Sequence, residues 1–499
     1  MVLEGDRDRV IVVGSGPAGA AAAQTLSARG IRVLLLEAGG GLPGGLLVRV
    51  AGRTVFKQTR RWASMGPIVP SGDPSTVWYS ELAAGGLSNH WTGAVPRYSP
   101  EDFLDGQRLG IEHAWPITYD DLAPFYSRIE RLMGVSGAGI DFPAVPGGTV
   151  AYRVALPKRW RGVARAAERR GFGLLPAPLA AGPPWMIRRG TTAFNSFASL
   201  INPLLRSGQV DCRLNTRAIR IHLDGAGRPR VECDDAETGG QIAFDGAAVV
   251  LAAGAINTAR ILLQSRGAGS QDGLGNGSGV LGAYLHDHLH VWFVLRLAKP
   301  LPRLRHIAHL SREPYATSAP LEATQVTVGG RVSSSDRLLS AVSWPSNDVG
   351  ASVFGTMVPT RLNRVQLIDG GRQPGPDQAI EIRLAYSDEA IANAKRAVPR
   401  LLEVLDDAGF APTVTTQSDI LQPGSSVHFG GTARMHASSQ YGVVDRYNHL
   451  HECPNVLVVD SSAFTTCVEK NPTLTAMALA ARAAEHLAAC LQRRAEPGV

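Results

Sequence analysis

Residues 14–19 read Gly-Ser-Gly-Pro-Ala-Gly, between a β-branched run at Val10–Val13 and an alanine-rich stretch, Ala20–Ala28, closed by Gly30. A second apolar run, Ile31–Leu36, ends at Glu37 and Ala38. This order predicts a strand, a glycine turn, a helix and a second strand, which is a β-α-β unit. Gly14 permits the tight turn, Gly16 lets backbone approach a pyrophosphate, and Gly19 lets helix and strand pack closely, with Ser15 and Ala18 between them. The helix start offers free N–H groups and partial positive charge to that phosphate. Glu37, roughly eighteen residues beyond Gly19, is placed to accept hydrogen bonds from ribose hydroxyls. The unit predicts a dinucleotide site without choosing between NAD and FAD.

The rest of the chain favours FAD. Strands are expected at Val210–Leu223 and Ala247–Ala253, the latter followed by a helix at Asn257–Gln264. Near the other end, Asn455–Val459 reads as a strand closed by Asp460 and followed by a helix at Pro472–Leu491. Nucleotide-domain strands at both ends of a chain suit FAD folds better than NAD folds. Between them, Tyr119–Met133 reads as an amphipathic helix, and Gly and Pro dominate 134–149 and 176–190, which read as connections. Residues 291–424 change character, with alternating segments and one long helix near 388–407. The expectation is an α/β protein, α+β overall. A discontinuous FAD-binding domain takes residues 1–135, 206–290 and 425–499, and a substrate-binding domain takes 136–205 and 291–424.

Composition narrows the function classes. The 499 residues are 44% hydrophobic and 19% charged, the balance of a globular enzyme. A net charge of +7 and pI of about 9.3 come from scattered bases. The densest cluster, Arg159, Arg161, Arg165, Arg169 and Arg170, is interleaved with Ala and Gly as on one solvated helix face, so no nucleic-acid partner is expected. Five widely spaced cysteines without a Cys-x-x-Cys pair predict neither a zinc site nor a disulfide framework. With no signal-peptide stretch and no run of about eighteen apolar residues, the expected setting is cytoplasmic, without a membrane partner.

VVGSGPAGA, GGLSNHWTGAVPRY, WPITYDDLAPFY, LAAGAINTARILLQS, LGAYLHDH, HFGGTARM and VEKNPTLTAMALAARAAEH occur in that order along the chain. In this series the sequence resembles the glucose-methanol-choline (GMC) oxidoreductases, in particular their pyranose oxidase and glycoside oxidase branch. The resemblance covers nearly the whole chain and is weakest over 291–424, the part that shapes substrate choice in the family. It implies a Rossmann-like FAD domain of the GMC and p-hydroxybenzoate-hydroxylase type, with an inserted substrate domain on an antiparallel sheet.

The resemblance also assigns roles. His428, in SSVHFGGTARM, would on its own read as a satisfied core histidine. It matches the family's catalytic histidine, a neutral imidazole able to take a hydroxyl proton as hydride leaves the same carbon. Asn471 reads from the sequence as a helix N-cap, with Pro472 at the first helical position and Thr473 next. In the family this position pairs with the histidine, and the helix behind it aims its positive end at the flavin. His90, in Ser88-Asn89-His90-Trp91-Thr92, matches the histidine that pyranose oxidases join covalently to FAD. Asn89 departs from the small hydroxyl residue of that pattern, which leaves covalent attachment open. Thr92 falls near the hydride-accepting nitrogen, Asp460 matches an acid that bonds the ribityl chain, and Ala218 falls where backbone meets adenine. His286, His288 and His290 alternate as metal ligands on a strand can, but the family has a structural Asp-His pair here, so no metal is expected.

The expected activity is oxidation of a secondary hydroxyl of a pyranose or glycoside to a ketone, with hydride passing to FAD and electrons then to O2 or another acceptor. Two alternatives stand beside it: FAD-dependent oxidation of another alcohol, such as an aminosugar primary alcohol or a natural-product intermediate, and a non-redox or lyase relative that keeps FAD as structure.

Overall fold

The computed structural model describes residues 2–41, 68–71, 78, 80–140, 146–182, 194–267, 269–302, 308–312, 324–330, 346–368, 378–417 and 423–495. Its central sheet has the strand order His449–Leu450, Cys453–Val458, Ala248–Leu251, Val10–Val13, Val33–Leu36, Val210–Arg213. All pairs are parallel except the short hairpin between the first two strands. VIVV, VLLL and AVVL are buried at every residue because helices cover both faces, and a parallel sheet needs that cover. Helix Pro17–Ala28 lies against the C-terminal helix Thr473–Ala495, and small alanines let the two approach. That C-terminal helix has the length and mean hydropathy (1.2 over its best window) of a membrane span, but 72% of the window is buried inside the protein.

The expected glycine-turn unit is present, with the helix starting at Pro17 rather than Ala20. Tyr119–Met133 is helical as read, closed at its start by a capping box in which Asp121 accepts the Thr118 N–H at 2.8 Å. The basic segment forms helix Lys158–Arg169, burying Trp160, Val163, Ala166 and Ala167 and leaving its arginines outward. Val210–Leu223 divides into two strands, Val210–Arg213 and Thr216–Leu223; the second joins a four-stranded sheet with Pro229–Asp235, Gly240–Asp245 and Val2–Gly5.

A separate six-stranded antiparallel sheet has the order Thr413–Gln417, Leu289–Leu301, Ser346–Gly355, Thr324–Gly330, Ala308–Arg312, Phe172–Pro176. Helix Asp388–Asp407, capped by the Ser387 hydroxyl, packs on it through Ala394, Leu401 and Leu405. Phe194, Phe197, Leu200 and Ile201 belong to the core of the glycine-turn domain, although the expected boundary at residue 205 assigns them to the second unit. The long strand Leu289–Leu301 leaves directly from Asp287 and His288, so the second sheet begins where the first domain's site ends.

Candidate active site

A cavity of about 610 Å³ runs from the glycine turn to His428 and Asn471. Its size lies in the range of cofactor clefts, roughly 300–1,000 Å³. At one end Gly14 adopts φ +99°, and a Cβ there would stand 2.5 Å from the Ala252 carbonyl oxygen. A Cβ on Gly19 would stand 1.9 Å from the Gly14 oxygen, so this glycine serves helix-to-turn packing and does not line the cavity. Gly16 differs: apart from its chain neighbours, no atom of the described residues lies within 4 Å of its Cβ position, yet it lines the cavity. The room beside it is what a closely approaching phosphate requires.

Glu37 holds this turn together. One carboxylate oxygen accepts the Ser15 N–H at 2.9 Å and the Ser15 hydroxyl at 2.6 Å, and the other accepts the Gly39 N–H at 3.0 Å. Ser15 in turn accepts the Gly85 N–H at 2.9 Å, tying the turn to the segment that leads to His90. Glu37 and Ala38 line the cavity, as do Arg217 and Ala218.

Further along, His90, Trp91 and Thr92 line the cavity wall. The His90 Nε2 pairs with the Glu81 carboxylate. Asn89 does not line the cavity: its carbonyl accepts the Asn195 amide at 2.5 Å and its own amide donates to the Ala84 oxygen. It therefore braces the turn rather than contacting a cofactor. Asp460 lines the cavity, but its carboxylate accepts from Gly254 N–H at 3.0 Å, Thr258 hydroxyl at 2.6 Å, Ser462 N–H at 2.9 Å and Ser462 hydroxyl at 2.5 Å. Four donors fill the lone-pair sites of a carboxylate, so Asp460 clasps strand Cys453–Val458 to helix Ala255–Gln264 instead of presenting open oxygens to a ribityl chain.

At the far end the His428 Nε2 stands 3.2 Å from the Asn471 amide nitrogen. Helix Thr473–Ala495 starts behind this pair, with the Pro472 carbonyl accepting the Ala476 N–H, so Pro472 rather than Asn471 takes the first intrahelical bond. Burial pushes the His428 imidazole down to about 3, with nearby His290 adding to the effect, so the ring is neutral near pH 7. A neutral imidazole facing a cavity beside an amide is the arrangement a general base requires.

His428 follows Val427, whose φ is +60°, a conformation that costs a β-branched residue energy. Asp287 sustains it: its carboxylate accepts the N–H groups on both sides, from Ser426 at 3.3 Å and His428 at 2.8 Å, and the Ser426 hydroxyl as well. The three neighbouring histidines do not converge. His286 Nδ1 meets the Tyr284 carbonyl at 3.1 Å, His288 Nδ1 meets His428 Nδ1 at 2.9 Å, and His290 stacks on Phe354 at 4.7 Å between ring centroids.

A family model described as GMC oxidoreductase matches residues 359–480, the stretch that holds His428 and Asn471, and one described as NAD(P)-binding Rossmann-like domain matches residues 12–55. The chain is an FAD-dependent oxidoreductase similar to the GMC oxidoreductases. It is 27% identical to a 2-methyl-1,2-propanediol dehydrogenase of Mycolicibacterium austroafricanum, over 98% of this chain and 96% of that protein. It is 29% identical to a 6'''-hydroxyparomomycin C oxidase of Streptomyces lividus (97% and 93%), and 24% identical to a C-glycoside 3-oxidase of Arthrobacter globiformis (85% and 77%). The crystal structure of a pyridoxine 4-oxidase shares the fold with a TM-score of 0.69 at 19% identity, covering 96% of this chain and 98% of that one.

GMC oxidoreductases are FAD-binding flavoproteins, and the residues of this chain fit that group: an open glycine cradle, a continuous cavity, and the start of the C-terminal helix at its far end. Sequence reasoning missed two supports of the site. Glu81 and the buried cluster of Lys470 with Asp102 (2.8 Å) and Glu469 (2.6 Å) act across the fold. The cluster anchors the chain immediately before Asn471. Asp287 was legible as half of a structural Asp-His pair, but its hold on the His428 backbone was not.

Proposed function

We propose that this oxidoreductase oxidises a secondary hydroxyl of a pyranose sugar or glycoside to a ketone. The observation that carries the reading is the His428–Asn471 pair at the far end of a cavity that begins at the glycine turn. FAD, when bound, supplies the acceptor for the hydride that leaves the carbinol carbon. Gly14, Gly16 and the start of helix Pro17–Ala28 would hold its pyrophosphate, and Thr92, Pro472 and Thr473 lie along the wall where its ring would rest. His428 Nε2 takes the hydroxyl proton while the C–H bond breaks and the C–O double bond forms, and the Asn471 amide orients the same oxygen.

Support for a sugar comes from the wall beside the base. His290 and Phe354 are cross-strand partners stacked at an interplanar angle of 9°, and Phe354 lies 5.5 Å from the His428 ring. Burial holds His290 down at about 4, so this wall is aromatic, polar at its edge and uncharged at neutral pH. A pyranose, with apolar C–H faces and a rim of hydroxyls, suits such a wall. The glycoside and paromomycin-type oxidases among its relatives support the same class.

The diol dehydrogenase among its relatives favours a second reading, oxidation of a small non-sugar alcohol at the same base. Anaerobic bleaching of the purified flavoprotein by a panel of pyranoses, glycosides, aminoglycosides and diols, with the product identified, separates the two. Bleaching by a pyranose with a keto-sugar product is expected. Bleaching by diols or primary alcohols alone moves the assignment to the second reading, and protein without flavin bands defeats both.

The pairing of His90 Nε2 with Glu81 supports FAD held without a covalent bond. Acid precipitation is expected to leave the flavin in the supernatant; flavin carried down with the protein contradicts this.

A further inference from the structure

His428 Nε2 can accept a proton only if it carries none, and an imidazole in isolation holds its proton on either nitrogen. What fixes the choice lies behind the ring. His288 Nδ1 stands 2.9 Å from His428 Nδ1, with the ring centroids 4.7 Å apart and the planes at 68°. One of these two nitrogens must donate to the other.

We propose that His288 is a positioning residue that locks His428 in the tautomer with its proton on Nδ1 and its lone pair on Nε2. The proposal rests on the reading of His428 as the base.

The surrounding groups favour one solution. The Val468 backbone favours a proton on the His288 ring, as a carbonyl acceptor beside it does. Since Nδ1 is directed at His428, the donor to Val468 is Nε2. His288 is buried and its ring is held neutral, so a proton on Nε2 leaves Nδ1 as a bare acceptor. His428 Nδ1 must therefore carry the proton, and because this ring is neutral too, its Nε2 is bare. Until a substrate hydroxyl takes its place, the Asn471 amide, 3.2 Å from Nε2, donates to that bare nitrogen, which agrees with the rest of the chain.

Adjacent residues thus grip the base in two places. Asp287 holds its backbone N–H, and His288 holds its ring. The arrangement has the logic of a base oriented by a third group. When Nε2 takes the substrate proton, the Nδ1–H of the resulting imidazolium still faces an acceptor. The relay ends at Val468, because His288 Nε2 is already protonated, so the proton leaves from Nε2 on the cavity side.

The test uses the FAD-loaded enzyme and two variants. His288→Leu removes the acceptor at similar volume, whereas His288→Asn places an amide oxygen near the former Nδ1. The expected result is that His288→Leu binds flavin and substrate normally but reduces flavin on the order of tenfold to a hundredfold more slowly, part of what a general base contributes. His288→Asn is expected to recover most of that loss. Nitrogen-15 spectra of histidine-labelled protein read the tautomer directly and need no substrate. They should show His428 with a protonated Nδ1 and a bare Nε2 in the wild type, and a mixture in His288→Leu. A wild-type His428 protonated on Nε2, or an undiminished reduction rate in His288→Leu, overturns the proposal. Failure of every alcohol to reduce the wild-type flavin would instead count against the alcohol-oxidation reading and leave the tautomer measurement standing.

Discussion

The Asp287 carboxylate accepts the backbone N–H of His428 at 2.8 Å, although 141 positions separate them in the chain. The same carboxylate takes the Ser426 N–H and hydroxyl, so it clasps both sides of the strained Val427. Burial pushes Asp287 up to about 6, and these hydrogen bonds work against that shift. Asp287→Asn replaces one acceptor oxygen with a donor that faces other donors. We expect a loss of about 1–3 kcal/mol in thermal stability and slower flavin reduction as the loop carrying the base loosens. Wild-type behaviour in both melting and reduction would contradict the clasp.

The depressed pKa of His428 fixes a pH dependence. Catalysis needs the unprotonated ring, and an ordinary imidazole near 6.5 would surrender most of it by about pH 5. With the value pushed down to about 3, the free base persists through that range. The rate of anaerobic flavin reduction should therefore stay flat from about pH 8 down to about pH 5. An acid limb centred on the ordinary imidazole value would show a base that is not buried as described.

The glycines of the turn should separate fold from cofactor. Gly19→Ala drives a Cβ into the Gly14 carbonyl, so we expect a loss of about 1–3 kcal/mol or more from overpacking. Gly16→Ala meets no atom of the described residues beyond its chain neighbours and should leave the melting temperature of the flavin-free protein unchanged. Because its methyl enters the room for a phosphate, FAD affinity should fall on the order of tenfold or more, about 1.4 kcal/mol. Fluorescence titration of flavin-free protein with FAD checks this, and equal affinities would remove the cradle from the cofactor site.

The neutral wall of His290 and Phe354 should set substrate preference. Replacing His290 by Leu keeps the stack's apolar area but removes the polar edge. KM for the best polyhydroxylated substrate is expected to rise roughly tenfold, the loss of about one hydrogen bond to a neutral group. A simple alcohol should be little affected. Equal effects on both would show that His290 does not read a second hydroxyl.

The first-domain elements were legible because their signals are local. Four apolar residues in a row at Val10–Val13, the glycine turn and the Tyr119–Met133 helix each follow from short-range periodicity and turn chemistry. The predicted site residues, except Gly19 and Asn89, line one cavity. What escaped depends on contacts across the fold. Asn89 turns to Asn195, Asp460 fills its carboxylate with protein donors, and Glu81 meets His90, none of which spacing can announce. The Asp-His pair at 287–288 was visible as a motif, but its place behind His428 is set by the crossing of two distant segments.

The most direct test of His428 as the base is anaerobic stopped-flow reduction of the bound flavin in wild type and His428→Ala, using a substrate that bleaches the wild type. The variant should keep its flavin spectrum but be reduced about 10²- to 10⁴-fold more slowly, the span of general-base catalysis. Reduction of His428→Ala at the wild-type rate would contradict it.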